Sequence, residues 1–311
     1  MKDISVLKYL SEKSEYVHVN IDKIYSFLKQ IDNLNYTYWL SDTKVFKTEK
    51  EKIIFSFICE SINFCFWGCN EWEMEYKGIN YHGSEALFYS LLRAIDEKKF
   101  IIDVDNLSEI SEEEFSNIFY YNGIKPSLMH ERYLLFNNTI NVIKLKGNEF
   151  FDELFSINSD VELVKYITST FNHFNDESKY KGRIIHFNKR AILLVNDLYN
   201  LSSTIRHNIK NINNLTGCAD YAIPKIFLAT GIFKYKDELL NKISSETLIE
   251  HNSQMEIEIR GNTLYVIEIM IQYLNNNCIN INSVQLDNII WKTRKKIKND
   301  IPVHMTKCIY Y

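Results

Sequence analysis

Gly83-Ser84-Glu85-Ala86-Leu87-Phe88-Tyr89-Ser90-Leu91-Leu92-Arg93-Ala94 is where the chain changes its period. Downstream of Gly83, residues Ala86, Leu87, Leu91, Leu92 and Ala94 fall on one face of a helix. Upstream, Ile62-Asn63-Phe64-Cys65-Phe66-Trp67 and Trp72-Glu73-Met74-Glu75-Tyr76 alternate apolar and polar residues, which predicts a small hairpin or sheet. The segment 3–30 has helical patterning. Beyond Gly83 the patterning stays helical almost to the end. Ser111-Glu112-Glu113-Glu114 forms a capping box that opens a helix through Tyr120. Further helices are expected over 127–145, 158–172, 187–200, 224–232, 261–275 and 283–297, with Gly123, Gly147 and Gly231 as stop signals. The expectation is a mainly α chain forming one domain over 1–311. Its N-terminal part, 1–82, is mixed α/β, and its helical part, 83–311, carries the site.

Composition agrees with that class. Of 311 residues, 46% are hydrophobic and 14% aromatic, enough for a substantial core. Nine Gly and three Pro are few chain breakers, favouring long helices over a turn-rich β architecture. The formal net charge is −4, so duplex nucleic acid is disfavoured as a partner, whereas a small anion needs only one or two cations. The one basic run, Lys292-Thr293-Arg294-Lys295-Lys296, reads as a solvated helix face. Six Cys without a CxxC pair argue against a structural zinc site. The N-terminus has no apolar signal segment and no window reaches membrane-spanning length, so a reducing cytosolic or nuclear setting is expected. Walker, GxSxG, HExxH and GxGxxG motifs are absent.

Asp220 stands out among the polar residues. It lies in Gly217-Cys218-Ala219-Asp220-Tyr221-Ala222-Ile223-Pro224, with Pro224 suited to the first turn of a following helix. Near a helix N-terminus an ionised carboxylate is favoured, and two readings stay open: a plain cap, or an anion facing a cleft. In the second role it would stabilise the oxocarbenium-like cation that forms when an N-glycosidic bond breaks. Asp287 and Trp291 are four apart and share a helix face, where the acid is either a boundary residue or the partner of a cationic ligand group. Lys189-Arg190 opens a predicted helix, an unusual place for cations, which hints at an anionic partner if it is not surface solvation. Glu256-Ile257-Glu258-Ile259-Arg260-Gly261 alternates ahead of a helix, with Arg260 expected to pair with a carboxylate. His304 reads as structural or catalytic.

The chain also resembles the queuosine salvage proteins, a family of queuosine 5′-phosphate N-glycosylase/hydrolases. The matching blocks are Asn63-Phe64-Cys65-Phe66-Trp67, Tyr81-x-Gly83 with Arg93-Ala94-x-Asp96-Glu97, Glu131-Arg132 and Phe187-x-Lys189-Arg190-Ala191. Ala219-Asp220-Tyr221-x-x-Pro224 and Glu256-x-Glu258-Ile259-Arg260-Gly261 follow, and Ile301-Pro302-x-His304-x-x-x-Cys308-Ile309-Tyr310-Tyr311 closes the series. The blocks keep their order from about residue 60 to the end.

The resemblance implies a helical fold related to the helical DNA glycosylases. It also implies hydrolysis of queuosine 5′-monophosphate to queuine and ribose 5-phosphate without metal or cofactor. It places the family's catalytic Asp on Asp220 and ligand-contacting positions on Cys218, Asp287, Asn288 and Lys292. Asp287 would suit the secondary amine that queuine carries. At three of these positions the family often has other residues: Phe at 218, Tyr at 288 and Asp at 292. A family His in the N-terminal third has no counterpart placed near Trp39. Lys189 is a candidate for the substrate phosphate. The expected partner is the small-molecule nucleotide, with no stable nucleic acid complex and no membrane. The alternative is a non-catalytic helical module that binds a queuosine nucleotide or tRNA, and a ligand-free helical scaffold is a third reading.

Overall fold

The computed structural model describes residues 3–31, 34–40, 44–67, 72–294 and 302–311. Helices dominate, as the sequence predicts; strands occur only as antiparallel pairs among the described residues. The N-terminal part contains α1 (Ile4–Lys13), β1 (Val17–Val19), α2 (Ile21–Leu28), α3 (Glu49–Ser61) and the hairpin β2 (Glu73–Tyr76)–β3 (Ile79–His82). Then follow α4 (Gly83–Asp96), α5 (Val104–Ser108), α6 (Glu112–Ile118), α7 (Met129–Lys146), α8 (Asn148–Ser156) and α9 (Asp160–Thr170). A second hairpin, β4 (Glu177–Tyr180)–β5 (Arg183–His186), leads into α10 (Lys189–Leu201) and α11 (Ser203–Ile209). The last part holds α12 (Ala222–Ala229), β6 (Phe233–Tyr235), α13 (Asp237–Ser244), α14 (Gln254–Asn276) and α15 (Ser283–Thr293).

Local chemistry explains the element boundaries. The capping box at Ser111 forms as expected, with Ser111 and Glu114 satisfying each other's backbone N–H groups. The strand expected at 62–67 does not form. The carbonyls of Ile62, Phe64 and Cys65 instead accept from the guanidinium of buried Arg132 on α7, so they have no ladder partner. The hairpin lies one segment later, where Lys77 (φ 52°) and Gly78 (φ 79°) make its two-residue turn. The helical patterning over 3–30 is interrupted by β1, which pairs with β6 in the register Val17↔Tyr235.

Three apolar clusters fill the interior. The largest packs α3 against α7 and α10 with α4, α8 and α9 around them. A second surrounds the C-terminal half of α14 with α2, α12, α13, α15 and the β1–β6 pair. A small third cluster joins α1 and the β4–β5 hairpin to the first half of α14. That half includes the 256–261 stretch expected to precede the helix. Ser253 caps the helix by accepting from the Glu256 N–H. Glu256, Glu258 and Arg260 are fully buried and paired, so polar residues occupy inward positions and hide the helical period. The basic run after α15 falls partly outside the described residues; so does the end of the expected 283–297 helix. α15 packs on both α10 and α12, the helices whose N-termini carry the Lys189 and Asp220 segments.

Candidate active site

Asp220 sits two residues before α12, and its Oδ1 accepts from the Ala222 N–H at 2.8 Å. It therefore does meet a helix N-terminus, with Pro224 in the first turn where no N–H is needed. The residues leading to it are each clamped by a different group. Ala219 O accepts from Arg260 Nε at 2.9 Å, and Cys218 N donates to Asp287 Oδ1 at 2.7 Å. Gly217 packs so tightly that an added Cβ would lie 2.5 Å from Ile267 Cδ1 and 3.2 Å from Asp287 Oδ1. Arg260 is itself fixed by Asp176 at 2.5 Å and Glu256 at 3.2 Å, and stacks between Phe187 and Tyr311. It is paired with carboxylates, as expected. The loop carrying Asp220 is thus pre-set by α14 and α15.

The other Asp220 oxygen, Oδ2, lies 3.7 Å from Lys189 Nζ, with side-chain exposures of 14% and 8%. Those values leave Asp220 reachable but largely dehydrated, which strengthens any interaction with a developing positive charge. The anionic partner that Lys189 hinted at is therefore, at least in part, this carboxylate. Arg190 is a different case. It is buried and donates to the carbonyls of Glu60, Ser61 and His173, so it is not available to a ligand.

Asp287 is buried, and its carboxyl is held well above the usual carboxylate range, first by burial and then by the charge of Asp220. Asp220 and Asp287 form an acid pair in unlike environments, one against a lysine and a helix N-terminus, the other enclosed. Cys218, between them in space, keeps its thiol protonated because burial and Asp287 push it up. Asn288, the next residue on α15, presents a buried Oδ1 with no hydrogen-bond partner among the described residues. Lys292 is exposed and donates to Thr37 O at 3.3 Å, at the outer edge of the group. The structure thus gathers Asp220, Cys218, Asp287 and Lys189, sets Asn288 beside them and leaves Lys292 on the rim. His304 is buried, and burial lowers its pKa to about 4, which makes it a neutral ring.

Two acidic residues that the sequence does not reveal lie behind Lys189. Glu60 on α3 and Asp197 on α10 are both buried and hydrogen-bonded to each other. Asp197 Oδ1 also accepts from Tyr38 OH at 2.9 Å and Trp39 Nε1 at 3.3 Å, and Glu60 Oε2 accepts from Asn63 Nδ2 at 2.9 Å. Burial raises the Asp197 pKa to about 7 and pushes Glu60 up as well, with the Asp197 charge adding to it. Lys189 interacts electrostatically with both Glu60 and Asp287, so it stands between the two acid pairs. The only signal for Asp197 was an acid set among Leu194, Val195 and Leu198; Glu60 had none. Trp39 stacks on Phe88 with centroids 4.7 Å apart, so the segment 34–40 lies across α4, α10 and α15. Among the described residues no cluster of three or more His, Cys, Asp or Glu could hold a metal, and no helix is long and apolar enough to cross a membrane.

Residues 43–311 match the family model described as queuosine salvage protein. A mouse protein named queuosine 5′-phosphate N-glycosylase/hydrolase is 32% identical over 272 residues, covering 82% of this chain and 80% of the relative. A protein of the same name from Sphaerobacter thermophilus is 31% identical over 258 residues, with coverage of 82% and 80%. A fission yeast relative, Schizosaccharomyces pombe, carries that name too at 25% identity, covering 77% of this chain and 74% of its own length. The chain belongs to the queuosine salvage protein family.

Proposed function

We propose that this protein is an N-glycosidase that hydrolyses queuosine 5′-monophosphate to queuine and ribose 5-phosphate, supplying queuine for salvage into tRNA modification. The observation that carries the reading is the Asp220 carboxylate, held by a helix N-terminus and Lys189 and faced by the enclosed Asp287. Asp220 lies against C1′ of the bound ribose. As the C1′–N9 bond breaks, its electron pair leaves on the base and positive charge grows on the sugar, where the carboxylate stabilises it. Water then bonds to C1′ and gives up a proton, and the departing base takes one up. Queuine is a 7-deazaguanine without N7, the usual protonation site of a departing purine, so the sugar cation carries more of the barrier and Asp220 more of the catalysis.

Asp287 receives the secondary amine of queuine. A cationic amine entering beside it draws the buried carboxyl into its ionised form, which replaces the missing counter-charge. Cys218 and Asn288 line the base side, and the Asn288 Oδ1, without a hydrogen-bond partner among the described residues, is an acceptor in wait. Lys189 orients Asp220 and lies within reach of the sugar, while Lys292 contributes from the rim. The chain works as one unit over 1–311, because α1 and β1 pack on α14 and β6 across the length of the sequence. The net charge of −4 favours a free nucleotide over a stable nucleic acid complex, and the buried thiols of Cys59, Cys218 and Cys308 are in keeping with a reducing cytosolic or nuclear compartment.

The test is release of queuine from the 5′-monophosphate by purified protein, followed by chromatography. Asp220→Asn keeps the Oδ1 acceptor for Ala222 and removes the charge. Its rate is expected to fall by on the order of 100-fold or more with the melting temperature unchanged. An unchanged rate would remove Asp220 from catalysis.

A further inference from the structure

Lys189 Nζ and Asp220 Oδ2 lie 3.7 Å apart, too far for a hydrogen bond, so their own contact does not set their spacing. Each is held by the segment that carries it, and both segments end on one guanidinium. On the Asp220 side, Arg260 Nε donates to Ala219 O at 2.9 Å. On the Lys189 side, the terminal nitrogens of Arg260 donate to both oxygens of the Asp176 carboxylate. Asp176 in turn fixes the start of α10 through its main chain. Its carbonyl accepts from the Phe187 N–H at 2.8 Å and the Asn188 N–H at 3.2 Å, and its own N–H donates to Asn188 Oδ1 at 2.8 Å. Arg260 thus bridges residue 219 to residues 187 and 188, the immediate neighbours of the acid and the lysine.

The carboxylates of Asp176 and Glu256 take the edges of that guanidinium, which leaves its two faces. The Phe187 and Tyr311 ring centroids lie 3.9 Å and 4.1 Å from Arg260 Cζ, and two rings that close cannot share one face. Arg260, Phe187 and Tyr311 are all fully buried. Tyr311 is brought there by the tail segment 302–311, laid down by separate contacts. The Ile249 N–H donates to Met305 O at 2.8 Å, the His251 ring stacks on Tyr310, and the Cys65 N–H donates to Tyr311 O at 2.9 Å. An electron-rich ring over each face stands in for the hydration that burial removed, and it keeps water from competing for the two carboxylates. Uncovering one face frees the guanidinium to tilt, and both of its arms loosen together.

We infer that Tyr311 is a positioning residue: its ring holds Arg260 flat, and Arg260 holds the Asp220 loop and the start of α10 at the spacing the reaction uses. The kinetic consequence rests on Asp220 being the catalytic carboxylate, whereas the structural consequence does not, and the experiment reads both. Tyr311→Met fills the space with an adaptable chain and removes the ring face, whereas Tyr311→Phe keeps it. On the monophosphate, kcat is expected to fall about tenfold in Tyr311→Met with KM within about twofold, and Tyr311→Phe to stay within about twofold of wild type. In an Asp220→Asn background Tyr311→Met should add no further loss, because its effect passes through that carboxylate. Amide hydrogen exchange on the full chain follows the same arms without turnover. The Cys218 and Ala222 N–H groups should exchange about tenfold faster in Tyr311→Met but not in Tyr311→Phe, while the amides of the buried helix α3 keep their wild-type rates. Phe187→Leu uncovers the other face and should repeat the pattern, which keeps the inference open to refutation should Tyr311→Met fail to fold.

Losses that multiply in the double variant, or an equal loss in Tyr311→Phe, would make Tyr311 a core residue only and overturn the inference. Unchanged exchange at Cys218 and Ala222 would overturn it as well. Faster exchange at both amides in a protein that releases no base would keep the positioning and refute the glycosidase instead.

Discussion

Replacing Asp197 by Asn isolates the buried acid pair behind Lys189. In the folded chain Asp197 titrates at about 7 rather than at 3.8, because burial outweighs the donors Tyr38, Trp39 and Glu60. A carboxyl whose folded pKa is raised keeps a proton that the unfolded chain has released. Its stabilising effect is complete below pH 3.8, erodes as pH rises, and is gone above about 7. At about 1.4 kcal/mol per pH unit, the window from 3.8 to about 7 corresponds to on the order of 4 kcal/mol lost. Asn keeps the Oδ1 acceptor for Tyr38 and Trp39 and turns an amide N–H toward Glu60, so it satisfies the same neighbours without a titration of its own. Guanidinium unfolding of both proteins from pH 4.5 to 8 should show wild type falling relative to Asp197→Asn by a few kcal/mol, with most of the change between pH 5 and 7. Parallel curves across that range would show that Asp197 and Glu60 do not share a proton in the folded chain.

Gly217→Ala pushes a methyl into Ile267 and against Asp287, so it should cost about 1–3 kcal/mol in chemical denaturation and lower kcat more than KM by displacing the Asp220 loop. Gly261→Ala places a Cβ 2.3 Å from Leu10 Cδ1, where α1 packs on α14, and should destabilise by a similar amount, about 1–3 kcal/mol, while kcat of the folded fraction stays unchanged. Because Asp287 must ionise to meet a cationic amine, queuine affinity measured by calorimetry should rise from pH 5 toward neutrality in wild type; in Asp287→Asn it should be weaker and flat over that range.

The helical class was legible because most helices show one apolar face or a cap, as with Ala86, Leu87 and Leu91 on α4 or Ser111 and Glu114 on α6. Segments buried on every side gave no such signal. Residues Ile53 to Ser61 of α3 are all buried, and the first half of α14 places paired charges inside, so neither shows a 3.6-residue period. The hairpins had a signal that the alternation obscured. Tyr76-Lys77-Gly78 and Tyr180-Lys181-Gly182 are the same two-residue turn, with Lys and Gly at positive φ in both. At the site, Asp220 was marked by Pro224 and the start of a helical run, and Asp287 by its spacing to Trp291. The Glu60–Asp197 contact and the Lys189–Asp220 pair join distant segments, and no local pattern announces a meeting of that kind. Phe64 and its neighbours looked like a strand because their side chains alternate, whereas their carbonyls had been claimed by a single arginine.

The pairing of β1 with β6 bears on how the molecule comes into being. Val17 finds its partner at Tyr235, so β1 leaves the ribosome more than two hundred residues ahead of the strand it pairs with, and that short ladder must wait to zip. Closing so large a loop raises the entropic barrier only logarithmically, yet the contacts that reward it arrive late. The surfaces of α1 and α2 that later meet α14 must stay uncovered during synthesis. Those two helices are therefore where a nascent chain would be most exposed to a wrong partner, and the wall behind the Asp220 loop is among the last parts to set.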